Sequence, residues 1–587
     1  MKKQSSILLC LALLFSLLSA CGSEAIPSSA SEEPTEQTQA PAPDTGDATD
    51  ISLSGSGASV SGSGAAAQDG VVTISEDGTY ALSGTLADGR IVVNAPGAEV
   101  TLLLQNADIT CSYGSPLYVY KAACVTVYLA ADSQNVLTDG ESYTFDDALS
   151  SASDEEPNAC LYSKADLILA GTGSLTVNAN YKNGITGKDT LCIEQATLRV
   201  TAKNHGINGK DSCTVTDATV CVVSGGDALR STNDTDASLG FIRITDSDLT
   251  LTSGEDGIQA ETALTISGGS CTIVAGGGSS ASLAQDASAK GLKSGVSLLV
   301  SGGEFLLDCA DDAVHTNGDA EISGGSFSIS TGDDGIHADG STRISGGSID
   351  IAKCYEGVEG TAVEITGGEI RIVSSDDGIN AAGGADQSGF GPRQDSFTGG
   401  SACYIDISGG TIYIDASGDG LDSNGTLNVS GGEIYIDGPT SDGDGALDYD
   451  GSGTITGGTL VAVGANGMAM NFGADSAQGS ILLNLSGSAG QTVTVRDSSG
   501  SVLLSYTPAK DYRSVVVSCP GLTQGETYTV SAGTQEATVT LDTLIYGGGM
   551  TGGFGGGMGG GQGGRPGTPP DGGNGNPPSG QPGGQRP

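Results

Sequence analysis

Ten carboxylates recur around a short Gly–aliphatic or Ala–aliphatic phrase: Asp256, Asp311, Asp312, Asp333, Asp334, Glu356, Asp376, Asp377, Asp419 and Asp422. The commonest step between phrases is 22 residues. If successive phrases stack as neighbouring strands, Asp312, Asp334, Glu356 and Asp377 lie about 4.8 Å apart in four turns. Two carboxylates at that separation repel by about 3.5 kcal/mol at an effective dielectric of 20. Such a file calls for cations between its members or protons on some of them. Clustered hard oxygen ligands suit Ca²⁺, and the same side chains also suit turns, where they accept backbone amides. The nonapeptide calcium repeat of β-rolls does not match a step of 22.

A second file stands two places after each repeat Gly or Ala. It runs Thr186, Asn208, Arg230, Gln259, Lys293, His315, His337, Glu359, Asn380 and Asp422. Arg230 and Lys293 stack near the acidic turns, which is a base-plus-metal constellation for proton abstraction. The same pattern also reads as a polar outward column whose basic members offset acidic neighbours. No carboxylate pair is singled out for glycosidase chemistry.

The elements that must hold these files are short strands. The phrase begins as Asn183-Gly184-Ile185 and His205-Gly206-Ile207, passes through Lys290-Gly291-Leu292, Asp312-Ala313-Val314 and Asp334-Gly335-Ile336, and ends as Asp444-Gly445-Ala446. About ten residues after each acidic turn comes Ser/Thr-Gly-Gly, at Ser323, Ser345, Thr366, Ser408 and Ser430 among others, and an alternating run follows. Period-two alternation points Phe327, Ile349, Ile370, Ile412 and Ile434 inward and Ser328, Asp350, Arg371, Tyr413 and Tyr435 outward. A repeat of this length made of strands predicts an all-β solenoid, a parallel β-helix of about 22 residues per coil. Departures from the period predict loops at Gly140–Asn158, Gly276–Ser288 and Ala382–Gly400.

The 587 residues divide unevenly. Residues 1–20, with Lys2-Lys3 and an apolar run from Ile7 to Leu18, read as a signal peptide, and Leu18-Ser19-Ala20-Cys21 resembles a lipobox that places a lipid on Cys21. The run is too short for a comfortable membrane span. Residues 21–50 read as a disordered tether and 547–587, rich in Gly and Pro, as a disordered tail. Residues 51–475 are expected to form one right-handed parallel β-helix. Residues 476–546, where the phrases stop, are expected to form a small β cap or sandwich. The expected location is the extracellular face of the cell membrane. A net charge of −47 excludes nucleic acid as a partner. Of 13 Cys, eleven remain after Cys10 and Cys21, an odd number with no Cys-x-x-Cys pair, which favours free thiols over disulfides or a metal site.

From about Val71 to Gly533 the chain resembles bacterial cell-surface carbohydrate-binding β-helix proteins with a pectate-lyase-like fold. The resemblance lies in Gly78-Thr79-Tyr80-Ala81-Leu82-Ser83-Gly84, Leu104-Gln105-Asn106-Ala107-Asp108-Ile109, Tyr181-Lys182-Asn183-Gly184-Ile185, Asp227-Ala228-Leu229-Arg230-Ser231-Thr232-Asn233-Asp234 and Gly418-Asp419-Gly420-Leu421-Asp422-Ser423-Asn424-Gly425. It implies binding of cellulose-like or pectin-like polysaccharide, polygalacturonate included, with calcium along the helix. Lyases of this fold abstract a C5 proton with Arg or Lys, so Arg230 and Lys293 keep a lyase reading open; a structural adhesin or spacer is a third reading. The chain has no Trp, leaving Tyr as its abundant flat ring for sugars. Tyr404, Tyr413 and Tyr435, with Arg371, are the candidate carbohydrate contacts, although Tyr413 and Tyr435 equally read as a cross-strand ladder that stabilises the sheet.

Overall fold

Runs such as Ser326–Thr331, Glu369–Ser374 and Thr411–Ala416 alternate apolar and polar residues, so each can bury one face and solvate the other. The computed structural model of the chain describes residues 42–145, 148–284, 287–382 and 403–547; the signal, the tether up to residue 41, Cys21, the tail from residue 548 and nearly all of the Ala382–Gly400 insertion lie outside these residues. The described residues are all-β, without a helix, and most strands pair in parallel.

Three parallel ladders run the length of the repeats. The first joins short strands from Val71–Ile74 to Leu447–Tyr449 and carries the acidic turns at its edge. The second runs from Thr49–Gly55 to Gly453–Ile455. The third ends in Glu433–Asp437 against Thr459–Gly464. Their registers follow the sequence period: Val314 pairs with Ile336, Phe305 with Phe327, and Ile412 with Ile434. The inward file is buried throughout, with Phe327, Ile349, Ile370, Ile412 and Ile434 at most 2% exposed. Their side chains belong to one hydrophobic cluster running from Ile51 to Ile455 and beyond, and that burial is the main force holding coil on coil.

Close stacking explains the repeat glycine. A Cβ on Gly357 would sit 2.3 Å from the Gly378 carbonyl oxygen and 2.5 Å from Ile372 Cγ2. The second Gly of Ser/Thr-Gly-Gly has another reason: Gly347, Gly368, Gly410 and Gly432 hold φ between 85° and 94°, which favours a residue without Cβ.

Both ends of the ladders meet antiparallel strands. Gly57–Ser61 pairs antiparallel with Thr49–Gly55, and Ala65–Gln68 with Val71–Ile74. At the other end Ser514–Ser518 pairs antiparallel with both Thr459–Gly464 and Ser480–Leu483. A four-stranded antiparallel sheet, Val502–Tyr506, Val493–Asp497, Thr527–Ala532 and Gln535–Thr540, completes this region. Its core includes Val461 and Val463 of the last coil, so the C-terminal region shares a hydrophobic core with the repeats. None of the eleven described cysteines forms a disulfide among the described residues, and eight of them are buried. No helix of the described residues is long and apolar enough to cross a membrane.

Candidate functional site

Parallel register brings the second file together as one row on the first ladder. Asn208, Arg230, Gln259, Lys293, His315, His337, Glu359, Asn380, Asp422 and Asp448 pair in succession. The turn carboxylates run alongside it and use their two oxygens differently.

One oxygen caps the next coil. Asp227 Oδ1 accepts from Asp256 N at 3.1 Å, Asp312 Oδ1 from Asp334 N at 3.0 Å, Asp334 Oδ1 from Glu356 N at 3.0 Å and Asp377 Oδ1 from Asp419 N at 2.6 Å. This is the turn-capping use of the side chain, repeated from coil to coil.

The other oxygen faces charge. Asp227 Oδ2 lies 3.1 Å from Arg230 Nη1, which also lies 2.8 Å from His205 Nε2. Asp256 Oδ2 meets Lys293 Nζ at 2.9 Å, and Asp312 Oδ2 meets Lys290 Nζ at 2.5 Å and His315 Nδ1 at 2.9 Å. Lys290 Nζ also reaches Asp311 Oδ1 at 3.0 Å. Asp334 Oδ2 lies 3.5 Å from His337 Nδ1, and that ring also contacts Asp339 and Glu359 at 3.2 and 2.5 Å. His315 and His337 stack at 5.0 Å. Burial would lower the pKa of His337, but hydrogen bonds to Asp334, Asp339 and Glu359 raise it well above the usual histidine value. Burial would likewise raise Asp312, yet Lys290 and His315 hold it well below the carboxylate range.

Asp256, Asp311, Asp312 and Asp334 thus each lie beside a lysine or histidine side chain, Lys290 reaching across to Asp311 and Asp312 from the preceding turn. Asp333 lies with Asp311 and Asp312, one oxygen of each within 4.8 Å of the others, and so shares that stretch.

Past Glu356 the row changes. Asp377, Asp419 and Asp422 each bring an oxygen within 4.8 Å of the others, and no lysine, arginine or histidine pairs with them among the described residues. Burial first, and neighbouring carboxylates second, push Asp377 up to about 8 and Asp419 and Asp422 to about 7. Asp376 adds to the charge on Asp377 and Asp422, and Glu356 is itself pushed well above its usual value by burial and by Glu359. Asn380, 6% exposed, donates Nδ2 to Glu356 Oε2 at 3.0 Å, while its Oδ1 is buried without a hydrogen-bond partner. Amide geometry turns that oxygen away from Glu356. A set of half-buried carboxylates beside an unpartnered amide oxygen is the donor chemistry of a hard cation.

The candidate bases are held in ion pairs, Arg230 on Asp227 and Lys293 on Asp256.

Arg371, Tyr413 and Tyr435 share one row of the third ladder, while Tyr404 stands on the second and donates its hydroxyl to Glu364 at 2.5 Å. Tyr413 and Tyr435 stack at 5.1 Å and 16°. Tyr506, beyond the repeats, stacks on Tyr435 at 5.0 Å. Both faces of Tyr435 are therefore covered, the stacked arrangement of a cross-strand ladder. Sequence reasoning did not single out Lys290, His205 or Asn380. Lys290 and His205 occupy the acidic place of the repeat phrase, and a basic residue at that place is the signal that was available.

Residues 68–335 and 334–551 match the family described as carbohydrate-binding domain-containing protein. A protein of that description from Acetivibrio thermocellus is 41% identical over 132 residues, 22% of this chain and 45% of its own length, so the match spans under half of that relative. Among solved structures, a polysaccharide lyase-like protein from C. thermocellum, studied as a gadolinium derivative, is 31% identical, with 39% of this chain and 92% of that chain covered and a TM-score of 0.37. With the two matched stretches spanning most of its length, the chain belongs to the carbohydrate-binding domain-containing protein family.

Proposed function

We propose that the chain is a surface-tethered polysaccharide-binding protein rather than a lyase, with Ca²⁺ held by Asp377, Asp419 and Asp422 and Asn380 as a further oxygen donor. The carrying observation is the change along one row, from carboxylates paired with lysine, arginine or histidine to carboxylates paired with none of these among the described residues. The donor set is all oxygen, which fits Ca²⁺. Bound there, the ion neutralises the cluster and offers coordination to glycan oxygens. The three ladders support a right-handed parallel β-helix, whose long face with a repeat of about 4.8 Å suits extended chains and multivalent weak contacts. The lipobox-like Leu18-Ser19-Ala20-Cys21 supports a lipid anchor on Cys21 and a place on the extracellular face of the cell membrane. Cellulose and polygalacturonate are the glycans of choice.

The test is adsorption of the full chain to insoluble cellulose and to polygalacturonate, with Ca²⁺ and with chelator, while following the absorbance of unsaturated lyase products. Adsorption without product is expected. Product formation abolished by Lys293→Ala or Arg230→Ala would make the protein an enzyme, and no adsorption to any polysaccharide would remove the binding reading.

A further inference from the structure

A groove of about 300 Å³ opens on the second ladder, lined by Ser238, Phe241, Arg243, Thr262, Thr265 and Val296 among others. That volume is at the lower end for small-molecule sites. One wall is the insertion between Ser231 and Phe241, and its shape is fixed from within. Asn233 Oδ1 accepts from Thr235 N and Asp236 N at 3.0 and 3.1 Å, and its Nδ2 donates to Asp211 at 2.6 Å. Thr262 Oγ1 ties the far end of the insertion to the adjacent strand through Leu239 O at 2.6 Å.

Arg243 is the unusual member. Its row neighbours are Thr214 and Thr265, and it makes no ion pair among the described residues. Further along the same ladder Arg343 meets Glu364 at 2.8 Å. An exposed guanidinium left without a carboxylate, in a chain of net charge −47, has charge available for a ligand. Its carbon lies 5.6 Å from the centre of the Phe241 ring, which holds the cation beside an aromatic surface. Val296 is 58% exposed at the opposite wall.

We infer that this groove binds one carboxylate-bearing sugar residue of an acidic polysaccharide. Arg243 pairs with the uronate carboxylate, for which a guanidinium fork is suited. Phe241 and Val296 take the apolar face of the sugar ring, and the hydroxyls meet Ser238 and Thr265. The inference rests on the polysaccharide-binding reading and adds to it a site that does not involve calcium.

The test is calorimetry on the full chain in chelator, with a trigalacturonate and its fully methyl-esterified counterpart, run beside the adsorption assay. Wild type should prefer the acid. Arg243→Gln should weaken the acid about tenfold or more and leave the ester unchanged, and Phe241→Ala should weaken both. Arg243 is exposed, so an unchanged melting temperature certifies that variant. Equal binding of acid and ester by wild type, or acid binding unaffected by Arg243→Gln, overturns the groove while adsorption to polysaccharide leaves the broader function standing. A wild type that binds neither trimer nor polymer overturns both.

Discussion

Each turn aspartate has two oxygens and two debts, an amide on the next coil and a neighbouring negative charge. Asp312 meets both within the protein, through Asp334 N and Lys290, whereas among the described residues Asp377 meets only the first, through Asp419 N. Lys290 is 1% exposed, and losing one partner of a buried ion pair costs about 3–5 kcal/mol. Lys290→Met should lower stability by that amount in chelator. If cations along the row are interchangeable, millimolar Ca²⁺ should recover part of the loss; denaturant unfolding with and without the ion measures it. Asp422→Asn should do the opposite, raising the melting temperature in chelator by removing a crowded charge and abolishing the stabilisation that Ca²⁺ gives wild type by mass action. An unchanged calcium response in Asp422→Asn would count against the site. A third case tests pH. Burial alone would raise Glu156, but hydrogen bonds from Lys164 and Lys188, at 2.7 Å each, bring it down to about 2. A depressed carboxylate adds stability above its unfolded pKa and loses it as pH falls through the folded one. The destabilisation caused by Glu156→Gln should therefore be full near pH 7, shrink from about pH 5, and vanish only below about pH 2.

At the scale of the element, stacking sets both what the sequence revealed and what it hid. A step of 22 carries identity from coil to coil, so the row from Thr186 to Asp422 and the inward file from Phe327 to Ile434 were legible before any coordinates. Strand registers follow the period because a one-residue slip would turn the buried face to water. Side-chain reach has no period. That Lys290 bridges to Asp311 and Asp312, or that Asn380 turns its amide toward Glu356, depends on rotamers and on residues 21 to 24 positions away. The groove at Arg243 was hidden for a related reason, since its wall is an insertion that departs from the repeat. The stacking also makes a sharp prediction about glycine. Gly357→Ala would drive a methyl group against the Gly378 carbonyl, whereas Gly302, within the strand Ser297–Cys309, has nothing within 4 Å of its would-be Cβ. Gly357→Ala should cost about 1–3 kcal/mol, the usual range for overpacking, and Gly302→Ala close to nothing. Equal effects in thermal unfolding would mean that the coils are not packed this closely.

Over the whole molecule, the tyrosine ladder ties the last coils to the C-terminal strands. Tyr413 and Tyr435 come from adjacent coils and Tyr506 from the antiparallel sheet. Around them Lys510 Nζ meets Asp415 at 2.6 Å, and buried Asp437 accepts from Tyr506 Oη at 3.1 Å and Ala509 N at 2.7 Å. These contacts hold the C-terminal region against the repeats, where its strand Ser514–Ser518 pairs with the edge of Thr459–Gly464, the last strand of the third ladder. A ring sandwiched between two others contributes through both pairs, each about 0.5–1.5 kcal/mol beyond its buried area. Tyr435→Ala should therefore destabilise the protein by about 1–3 kcal/mol or more and open the C-terminal region to protease. Tyr435→Phe, which keeps the stack and loses only a hydroxyl, should behave like wild type. Adsorption to polysaccharide per folded molecule should be unchanged in both variants. Weaker adsorption by Tyr435→Ala at unchanged stability would restore these rings to the role of a sugar platform, and would mean that the cap can move aside to expose their faces.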